Sequence, residues 1–389
     1  MLSLKTRLSA VALPLYLLLA PFTQASEEAP LPKTLAWTAY PTNSSSYAQV
    51  VAIGSMLQSN HSVSVRILPA DNDVLRMTPL KSGRVDLCSC GIASYFGAEG
   101  VLMFADANWG PQPIRVLAAS SGGFGLAMAT AGDLGVETPA DLAGKRIAYI
   151  RGDDAVNKGT EAMLAYGGLT WNDVERIDFP GHSRAFDAII AGQADATFSS
   201  TLAPPAVRLA SSPRGITWPV LDPQEQEAWE RVKAVAPYFS PHQVTAAAGD
   251  DVSADRPMDS AAYPYPILVA NADFDDAVAY RLVQAMQDHL DEYQDAAPGA
   301  DGYALEKQKL AWVIPLHDGV VDHYRDIGVW NDELQAHQEY LVERQNTLLS
   351  TWNHFMDGET PEDRDEFRNA WMQARAEGLR SAGYDPVFE

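Results

Sequence analysis

Small hydroxyl, amide and acidic side chains recur in loops that directly follow predicted β-strands. Five such loops supply the candidate ligand-binding residues: Thr42, Asn43, Ser44, Ser45, Ser46 and Tyr47; Asp71, Asn72 and Asp73; Asn157; Ser183 and Arg184; and Ser199 and Ser200. A helix that begins in such a loop leaves backbone N–H groups free, and these groups can bind an anion without lysine or arginine. The pattern predicts a site for a small organic anion that is held mainly by uncharged donors.

Each loop also has a simpler interpretation. Ser, Thr, Asn and Asp are preferred helix N-caps, and capping explains part of the first loop and the whole of the second. A surface position on a helix is the commoner explanation for Arg184. The five loops nevertheless agree in position, and this agreement favours binding over capping for the set.

Sequence patterns for catalysis are weak. The serines at 44–46 have no Gly-x-Ser-x-Gly context, the eight histidines show no obvious triad spacing, and no dinucleotide or phosphate-binding glycine loop occurs. We therefore expect a binding protein without enzyme activity, cofactor or metal. An enzyme whose groups converge only in space is the alternative.

The two cysteines, Cys88 and Cys90, lie two residues apart on a predicted strand. Such spacing gives poor disulfide geometry, and no set of Cys and His at zinc spacing lies nearby. We expect two buried thiols on one strand face.

The chain contains two stretches in which predicted strands and helices alternate. This alternation is typical of parallel sheets covered by helices. The strands are 35–40, 63–68, 85–90, 114–119, 124–130, 147–150, 174–179, 194–199 and 266–270, and the helices are 44–57, 72–81, 155–166, 183–191 and 204–210. A crossing near residue 125 and a return near 250 predict two interleaved lobes. Lobe one would comprise 34–125 and 250–330, and lobe two 126–249. Ligands of such folds bind outside the carboxyl ends of the strands, which here means between the lobes.

The first 25 residues have the pattern of a secretory signal peptide, with Lys5 and Arg7 before a short apolar run and a cleavage site near Ala25. We expect a periplasmic protein that is cut there. The mature chain is strongly acidic, since 51 Asp and Glu face 28 Lys and Arg in the whole sequence. This charge argues against nucleic acid and against anionic membrane surfaces as partners.

Several segments resemble the TAXI family, the solute receptors of one branch of TRAP transporters. The strongest are Leu80 to Leu87, Asp141 to Ala148, Ala188 to Phe198, Ile314 to His317 and Tyr324 to Gly328. The resemblance implies a type II periplasmic binding fold of the α/β class, closure of two lobes on a carboxylate such as glutamate or a dicarboxylate, and delivery to TRAP membrane subunits. Delivery to an ABC importer is the alternative for the same fold, and a sensor ectodomain is a third class.

Two loops depart from that family. Thr42 and Asn43, with the serines at 44–46, replace glycines that usually precede the tyrosine, and Asp153 to Asn157 replace a Gly-Ser-Gly-Thr-like loop. The added bulk and the two carboxylates favour a solute of different shape, or one that carries an amine as well as a carboxylate.

Residues 331–389 form a further departure, with helical patterns at 332–356 and 362–381. Leu334, Leu341, Leu348 and Phe355 fall seven residues apart on one face. We expect this helical C-terminal extension to pack on lobe one; a homodimer or a transporter contact through the same face is the alternative.

Overall fold

The structure of the protein is a computed structural model that describes residues 30–249 and 252–388. The strands are β1 (Thr34–Ala39), β2 (Ser64–Pro69), β3 (Leu87–Cys90), β4 (Ile114–Ala119), β5 (Leu126–Ala131), β6 (Arg146–Ile150), β7 (Glu175–Phe179), β8 (Ala196–Ser200), β9 (Ile216–Thr217), β10 (Ser240–Val244), β11 (Met258–Ala262) and β12 (Ile267–Asn271). The helices are α1 (Ser45–His61), α2 (Asp73–Lys81), α3 (Ala93–Glu99), α4 (Asp154–Tyr166), α5 (His182–Ile190), α6 (Pro204–Ala210), α7 (Gln226–Val235), α8 (Asp276–Asp288), α9 (Leu290–Tyr293), α10 (Asp318–Asp326), α11 (Asp332–Met356) and α12 (Arg364–Ser381). The signal-peptide prediction falls outside the described residues.

Two five-stranded sheets share one arrangement. The first has the order β2-β1-β3-β12-β4, and the second has the order β7-β6-β8-β5-β9. In each sheet three neighbouring strands are parallel, and the fourth, β12 or β5, runs antiparallel to its neighbours after reaching the sheet from a crossing segment. We call the first sheet with its helices lobe one and the second sheet with its helices lobe two. The predicted α/β class, with two lobes between which the chain crosses, is confirmed.

The crossing segments between the lobes are hydrogen-bonded to each other. The Thr245 amide donates to the Gly123 carbonyl at 2.7 Å, and the Tyr265 amide donates to the Ser120 carbonyl at 2.7 Å. A Cβ atom at position 123 would collide with the Thr245 hydroxyl, so only glycine allows this close approach. The paired segments bring residues from distant parts of the sequence to the gap between the lobes.

The cysteine prediction is wrong, because Cys88 and Cys90 form a disulfide on β3. Their Cα atoms are 5.4 Å apart, which is within the range that a disulfide accepts. Alternate residues of a fully extended strand lie about 6.6 Å apart, close to the upper limit for a disulfide. The contracted strand brings the two cysteines closer together, well within that limit.

The C-terminal helices α11 and α12 form and pack on lobe one. Arg344 of α11 and Arg375 of α12 both contact Glu99 at the end of α3, and the Trp371 indole donates to the Gly100 carbonyl at 2.6 Å. Of the four apolar residues that were predicted to lie seven positions apart on one face, Leu348 is fully buried. Leu334, Leu341 and Phe355 are half-buried. None of the helices in the described residues is long and apolar enough to cross a membrane.

Candidate functional site

A cavity of about 400 Å³ lies between the lobes, at the carboxyl ends of β1, β2, β6, β7 and β8. Lobe one and the return crossing contribute Tyr40, Pro41, Asn43, Ser44, Ser45, Asp71, Asp73, Arg76, Tyr263 and Tyr265. Lobe two contributes Leu126, Asp153, Ala155, Val156, Gly181, His182, Ser183, Arg184, Phe198, Ser199, Ser200, Ala203, Pro204 and Pro205. The position matches the crevice where doubly wound folds place their ligands.

Nine of the predicted residues line this cavity. They are Asn43, Ser44, Ser45, Asp71, Asp73, Ser183, Arg184, Ser199 and Ser200. They come from four of the five loops that the sequence singled out, and from both lobes. The fifth loop also reaches the cavity, but through Asp153, Ala155 and Val156 instead of Asn157.

Five predicted residues do not line the cavity, since each side chain has another role or position. Ser46 is buried and shares a 3.0 Å hydrogen bond with Ser89. The Asn72 side chain caps α2 by accepting from the Leu75 amide at 2.9 Å. Tyr47 packs against the core, and Thr42 is exposed.

Asn157 is the fifth of these residues, and its role is structural. Its side-chain oxygen accepts from the Ile150 amide at 2.8 Å, and its side-chain nitrogen donates to the Ile150 carbonyl at 2.7 Å. Both polar atoms of the amide are therefore occupied in tying α4 to the end of β6.

Arg76 is the main group that the sequence prediction missed. It lies one helical turn after Asp73 on α2, is 3% exposed, and forms an ion pair with that carboxylate. It also donates to the Ala70 carbonyl at 3.0 Å, and its guanidinium lies over the Tyr40 ring, 3.6 Å from the centroid. An Asp–Arg pair at i, i+3 was visible in the sequence, but such pairs usually lie on exposed helix faces. Buried charge therefore lines the cavity, contrary to the expectation of mainly uncharged donors.

Two carboxyl groups near Arg76 have raised pKa values. Burial raises the pKa of Asp73 from 3.8 to about 6; the negative charge of Asp153 adds to the increase, and Arg76 opposes it. Burial also raises the pKa of Asp153, against the hydrogen bond from the Val156 amide and the charge of Arg76. Burial alone would lower the pKa of Arg76, but the surrounding Tyr40, Asp73 and Asp153 raise it, so the guanidinium stays charged.

Aromatic rings form much of the remaining wall. Tyr40 and Tyr265 meet edge to face with centroids 5.5 Å apart, and Tyr263 meets Phe239 in the same way at 5.0 Å. Burial raises the pKa of Tyr265 to about 12 and raises those of Tyr40 and Tyr263 further, so the three phenols stay neutral hydrogen-bonding groups. Burial lowers the pKa of His182, and its Nε2 lies 2.9 Å from the Phe198 carbonyl oxygen.

Five helices begin at the cavity, but they differ in the donors that they offer. Helix α2 begins with the carboxylate of Asp73, which disfavours an anion at that point. Ser44 caps α1 through the Tyr47 amide at 3.1 Å, which leaves the first amides of that helix without partners inside the helix. The start of α5 at Gly181 has no side-chain cap in the described residues. Asp153 caps α4 with its own carboxylate, and α6 begins with two prolines, which have no N–H group. Free donors for an anion therefore lie at the starts of α1 and α5.

Over residues 30–249 and 252–388, no group of three or more His, Cys, Asp or Glu side chains could hold a metal ion. The hydrogen-bond donors of the cavity are amides, hydroxyls, phenols and the buried guanidinium of Arg76, and the carboxylates of Asp71, Asp73 and Asp153 are acceptors. This set can bind a small polar molecule by hydrogen bonds and charge.

A family model described as the NMT1-like family matches residues 46–328. The curated proteins contain no significant match to the sequence. Among solved structures the chain is similar to an ancestral arginine-binding protein bound to arginine, at 14% identity over 68% of this chain and 97% of that one, with a TM-score of 0.40.

Two sulfonate-binding proteins are also similar to this chain. The periplasmic aliphatic sulphonate binding protein SsuA from Escherichia coli matches at 14% identity over 80% of this chain and 86% of that one, with a TM-score of 0.43. The alkanesulfonate-binding protein SsuA from Xanthomonas axonopodis pv. citri, bound to MOPS, matches at 16% identity over 81% and 96%, with a TM-score of 0.38.

Proposed function

Since the chain belongs to the NMT1-like family, we propose that it is an extracytoplasmic solute-binding protein that captures a small carboxylate-bearing metabolite between its lobes and delivers it to a membrane transporter. The observation that carries this proposal is the cavity between the lobes, which draws its wall from both sheets. A volume of about 400 Å³ lies within the range of small-molecule sites.

The starts of α1 and α5 support an anionic group on the solute. Ser44, Ser45 and Ser183 line the cavity at these two helix starts, where the first amides have no partner inside the helix. Amides at a helix start hold a carboxylate through hydrogen bonds and through the positive end of the helix dipole. The strongly acidic net charge of the chain, −23, makes such local donors necessary for any anion.

A direct contact between the lobes supports capture by closure. The Met103 amide of lobe one donates to the Asp154 carboxylate of α4 at 2.9 Å. Tyr95 of α3 also meets Tyr238, which follows α7, with ring centroids 6.2 Å apart. Contacts of this kind stabilise a closed state only as far as closure adds them, so a bound solute that touches both lobes would add to them.

The transporter that we propose is of the TRAP type, with this chain as its TAXI receptor. The similarity of the segments from Leu80 to Leu87 and from Ile314 to His317 to that family supports this choice. The first 25 residues would direct export, so the mature protein would act in the periplasm. An ABC importer is the competing partner, and the genes beside this one distinguish the two by the membrane subunits that they encode.

The decisive experiment is mass spectrometry of the small molecules that leave the purified mature protein on denaturation. We expect a carboxylate-bearing metabolite at close to one per chain, and a thermal-shift titration with that compound should raise the melting temperature. Chemical conversion of the compound during incubation would indicate an enzyme instead. A protein that carries no solute and gains no stability from any small carboxylate would contradict the proposal.

A further inference from the structure

We propose that the cavity holds an organic ammonium group between Asp73 of lobe one and Asp153 of lobe two, so that the solute is an amine-bearing compound and not a dicarboxylate. This inference rests on the proposed function, because it assumes that the cavity receives a solute. It adds the chemical class of that solute and the two residues that select it.

The first observation is an oxygen of Asp73 that lacks a partner. The residue is 2% exposed and lines the cavity, and Arg76 binds one carboxylate oxygen, Oδ1. The second oxygen, Oδ2, has no hydrogen-bond partner among the described residues. Buried polar atoms are almost always paired, so an acceptor left unpaired in a residue that lines the cavity is a position that a donor from a ligand would satisfy.

The second observation is the placement of Asp153 on the opposite lobe. It caps α4 by accepting from the Val156 amide at 3.1 Å, and it lines the same cavity. It is near enough to Asp73 for its negative charge to raise the pKa of that carboxyl. Two carboxylates from two lobes therefore line one cavity and repel each other through their charges, which is the arrangement that a cation relieves.

The charge balance of the buried wall points the same way. The buried guanidinium of Arg76 is set against Asp73 and Asp153, which leaves one excess negative charge. Arg184 does not correct this balance, since its side chain is 74% exposed and lies 3.8 Å from Asp187. A dicarboxylate would add two negative charges to this wall, whereas one ammonium would neutralise it.

The surrounding side chains suit an organic cation better than a metal ion. No three-residue cluster of metal-ligating side chains occurs in the parts of the chain that the structure describes. Tyr263 and Tyr265 line the cavity with neutral phenols, and tyrosine rings and hydroxyl oxygens both stabilise an ammonium group.

The test is calorimetric titration of the solute-free mature protein with chemically matched probes. The panel contains amino acids, the 2-hydroxy acids that have the same carbon skeletons, and the dicarboxylates succinate and 2-oxoglutarate. We expect at least one amino acid to bind about 10- to 100-fold more tightly than its hydroxy analogue, which is the usual effect of a charge-assisted hydrogen bond. We expect the dicarboxylates to bind more weakly than that amino acid.

Asp153→Asn is the informative variant, because asparagine caps a helix as well as aspartate does but carries no charge. It should lower the affinity for the amino acid by about tenfold or more, and the affinity for the hydroxy analogue should change by less than about twofold. The matched control is Asp275→Asn, since Asp275 caps α8 in the same way, accepting from the Val278 amide at 3.0 Å outside the cavity. The control should bind like the wild type.

Two results would overturn the ammonium site. One is equal affinity for an amino acid and its hydroxy analogue, and the other is binding of dicarboxylates with no binding of amino acids. Either result leaves the solute-binding function standing, because a carboxylate still enters the cavity. Failure of the whole panel also counts against the ammonium site, whereas the solute-binding function is judged by the compound that co-purifies.

Discussion

Arg76 determines the electrostatics of the cavity at the scale of single residues. Its guanidinium is almost fully buried and has Asp73, the Ala70 carbonyl and the face of Tyr40 as partners. A buried ion pair contributes little net stability, but removing one partner leaves the other charge buried without compensation. The pair therefore responds asymmetrically to substitution.

Arg76→Met should destabilise the protein by about 3–5 kcal/mol, because Asp73 would stay buried without its counter-charge. The double variant Asp73→Asn with Arg76→Met should recover much of that loss. Urea unfolding followed by circular dichroism measures both. Arg325→Met is the control, since the Arg325–Asp322 pair is exposed and should contribute at most about 1 kcal/mol. Additive effects of the two buried substitutions would contradict the coupling.

The stability of the solute-free protein should depend on pH through Asp73. Its pKa is raised from 3.8 to about 6 in the folded protein, so the folded chain holds this proton more strongly than the unfolded chain. The ionised carboxyl therefore costs stability above about pH 6, and that cost disappears as the pH falls towards 4. The titratable groups that interact with its charge are Arg76, Asp153, Asp154, Tyr40, Tyr263 and Tyr265.

The measurement is the free energy of unfolding of the wild type minus that of Asp73→Asn. This difference should grow in favour of the wild type as the pH is lowered from about 7 to about 4, and stay level above about 7. Comparison with the variant removes the contribution of the carboxyl groups that do not interact with Asp73. A difference that does not change with pH would show that Asp73 titrates normally.

At the scale of elements, the beginnings of α1 and α5 decide where an anion can bind. Ser45 is the first residue of α1, and its preceding cap Ser44 has an extended backbone with φ −101° and ψ 153°. Proline is tolerated at the first position of a helix and favours an extended residue before it. Ser45→Pro can therefore remove one N–H group from the cavity without disturbing the helix.

Ser45→Pro should weaken the bound carboxylate by about 5- to 10-fold, since one hydrogen bond to a charged group is lost, while the melting temperature stays nearly unchanged. Calorimetric titration with the co-purified solute checks this expectation. Asp332→Pro is the matched control, because Asp332 is the first residue of α11 and also follows an extended cap, Asn331. If both variants bind alike, the start of α1 does not contact the solute.

The C-terminal helices are held to lobe one by a buried charge cluster. Arg344 of α11 and Arg375 of α12 share the carboxylate of Glu99, and their remaining donors bind the carbonyls of Asp385 and Phe388 at 3.1 and 2.9 Å. All three charged side chains are less than a tenth exposed. The cluster joins three helices and the chain end at one point.

Glu99→Gln should loosen α12 by leaving two buried guanidiniums without a counter-charge, at a cost of about 3–5 kcal/mol. Hydrogen exchange by mass spectrometry should show that the variant exchanges faster than the wild type in α12 and in the last residues. Exchange in the first sheet should change less. Glu377→Gln, on the exposed face of α12, serves as the control. Equal protection of α12 in both variants would contradict the role of the cluster.

At the scale of the whole molecule, the lobes form a pair that two crossing segments connect and that interlobe contacts hold together. The hydrogen bond from the Met103 amide to the Asp154 carboxylate joins the two lobes directly. A hydrogen bond to a charged group contributes about 1.5–3 kcal/mol, which is large on the scale of a two-state opening. Closure and solute binding should therefore be coupled through it.

Asp154→Ala should shift the solute-free protein towards the open state and weaken the co-purified solute by about 5- to 50-fold. Small-angle scattering should report a larger radius of gyration without solute and a return to the wild-type value at saturation. Asp332→Ala, at the equivalent helix position of α11, should change neither quantity. Unchanged scattering and affinity in Asp154→Ala would show that this contact does not govern closure.

Local patterns in the sequence determined the alternation of strands and helices, the polar loops after the strands and the two C-terminal helices. Each of these depends on residues within a few positions of one another, such as the Asn72 cap or the apolar alternation of β2. The nine predicted residues that line the cavity were found because a loop that leaves a strand and begins a helix is recognisable from its own residues.

Only the tertiary structure decided which side chains of those loops face the cavity and which charges are buried. From its local sequence, Arg76 would be expected on the protein surface. In the folded protein, Tyr40 after β1 and Tyr263 and Tyr265 of the return crossing line the same cavity as Arg76. The side chain of Asn157 is hydrogen-bonded to the backbone of Ile150, and that of Ser46 is hydrogen-bonded to Ser89, so neither lines the cavity. Burial and pairing depend on atoms contributed by distant segments, and no local pattern carries that information; the chain must close its two sheets before a charge on α2 becomes part of a binding site.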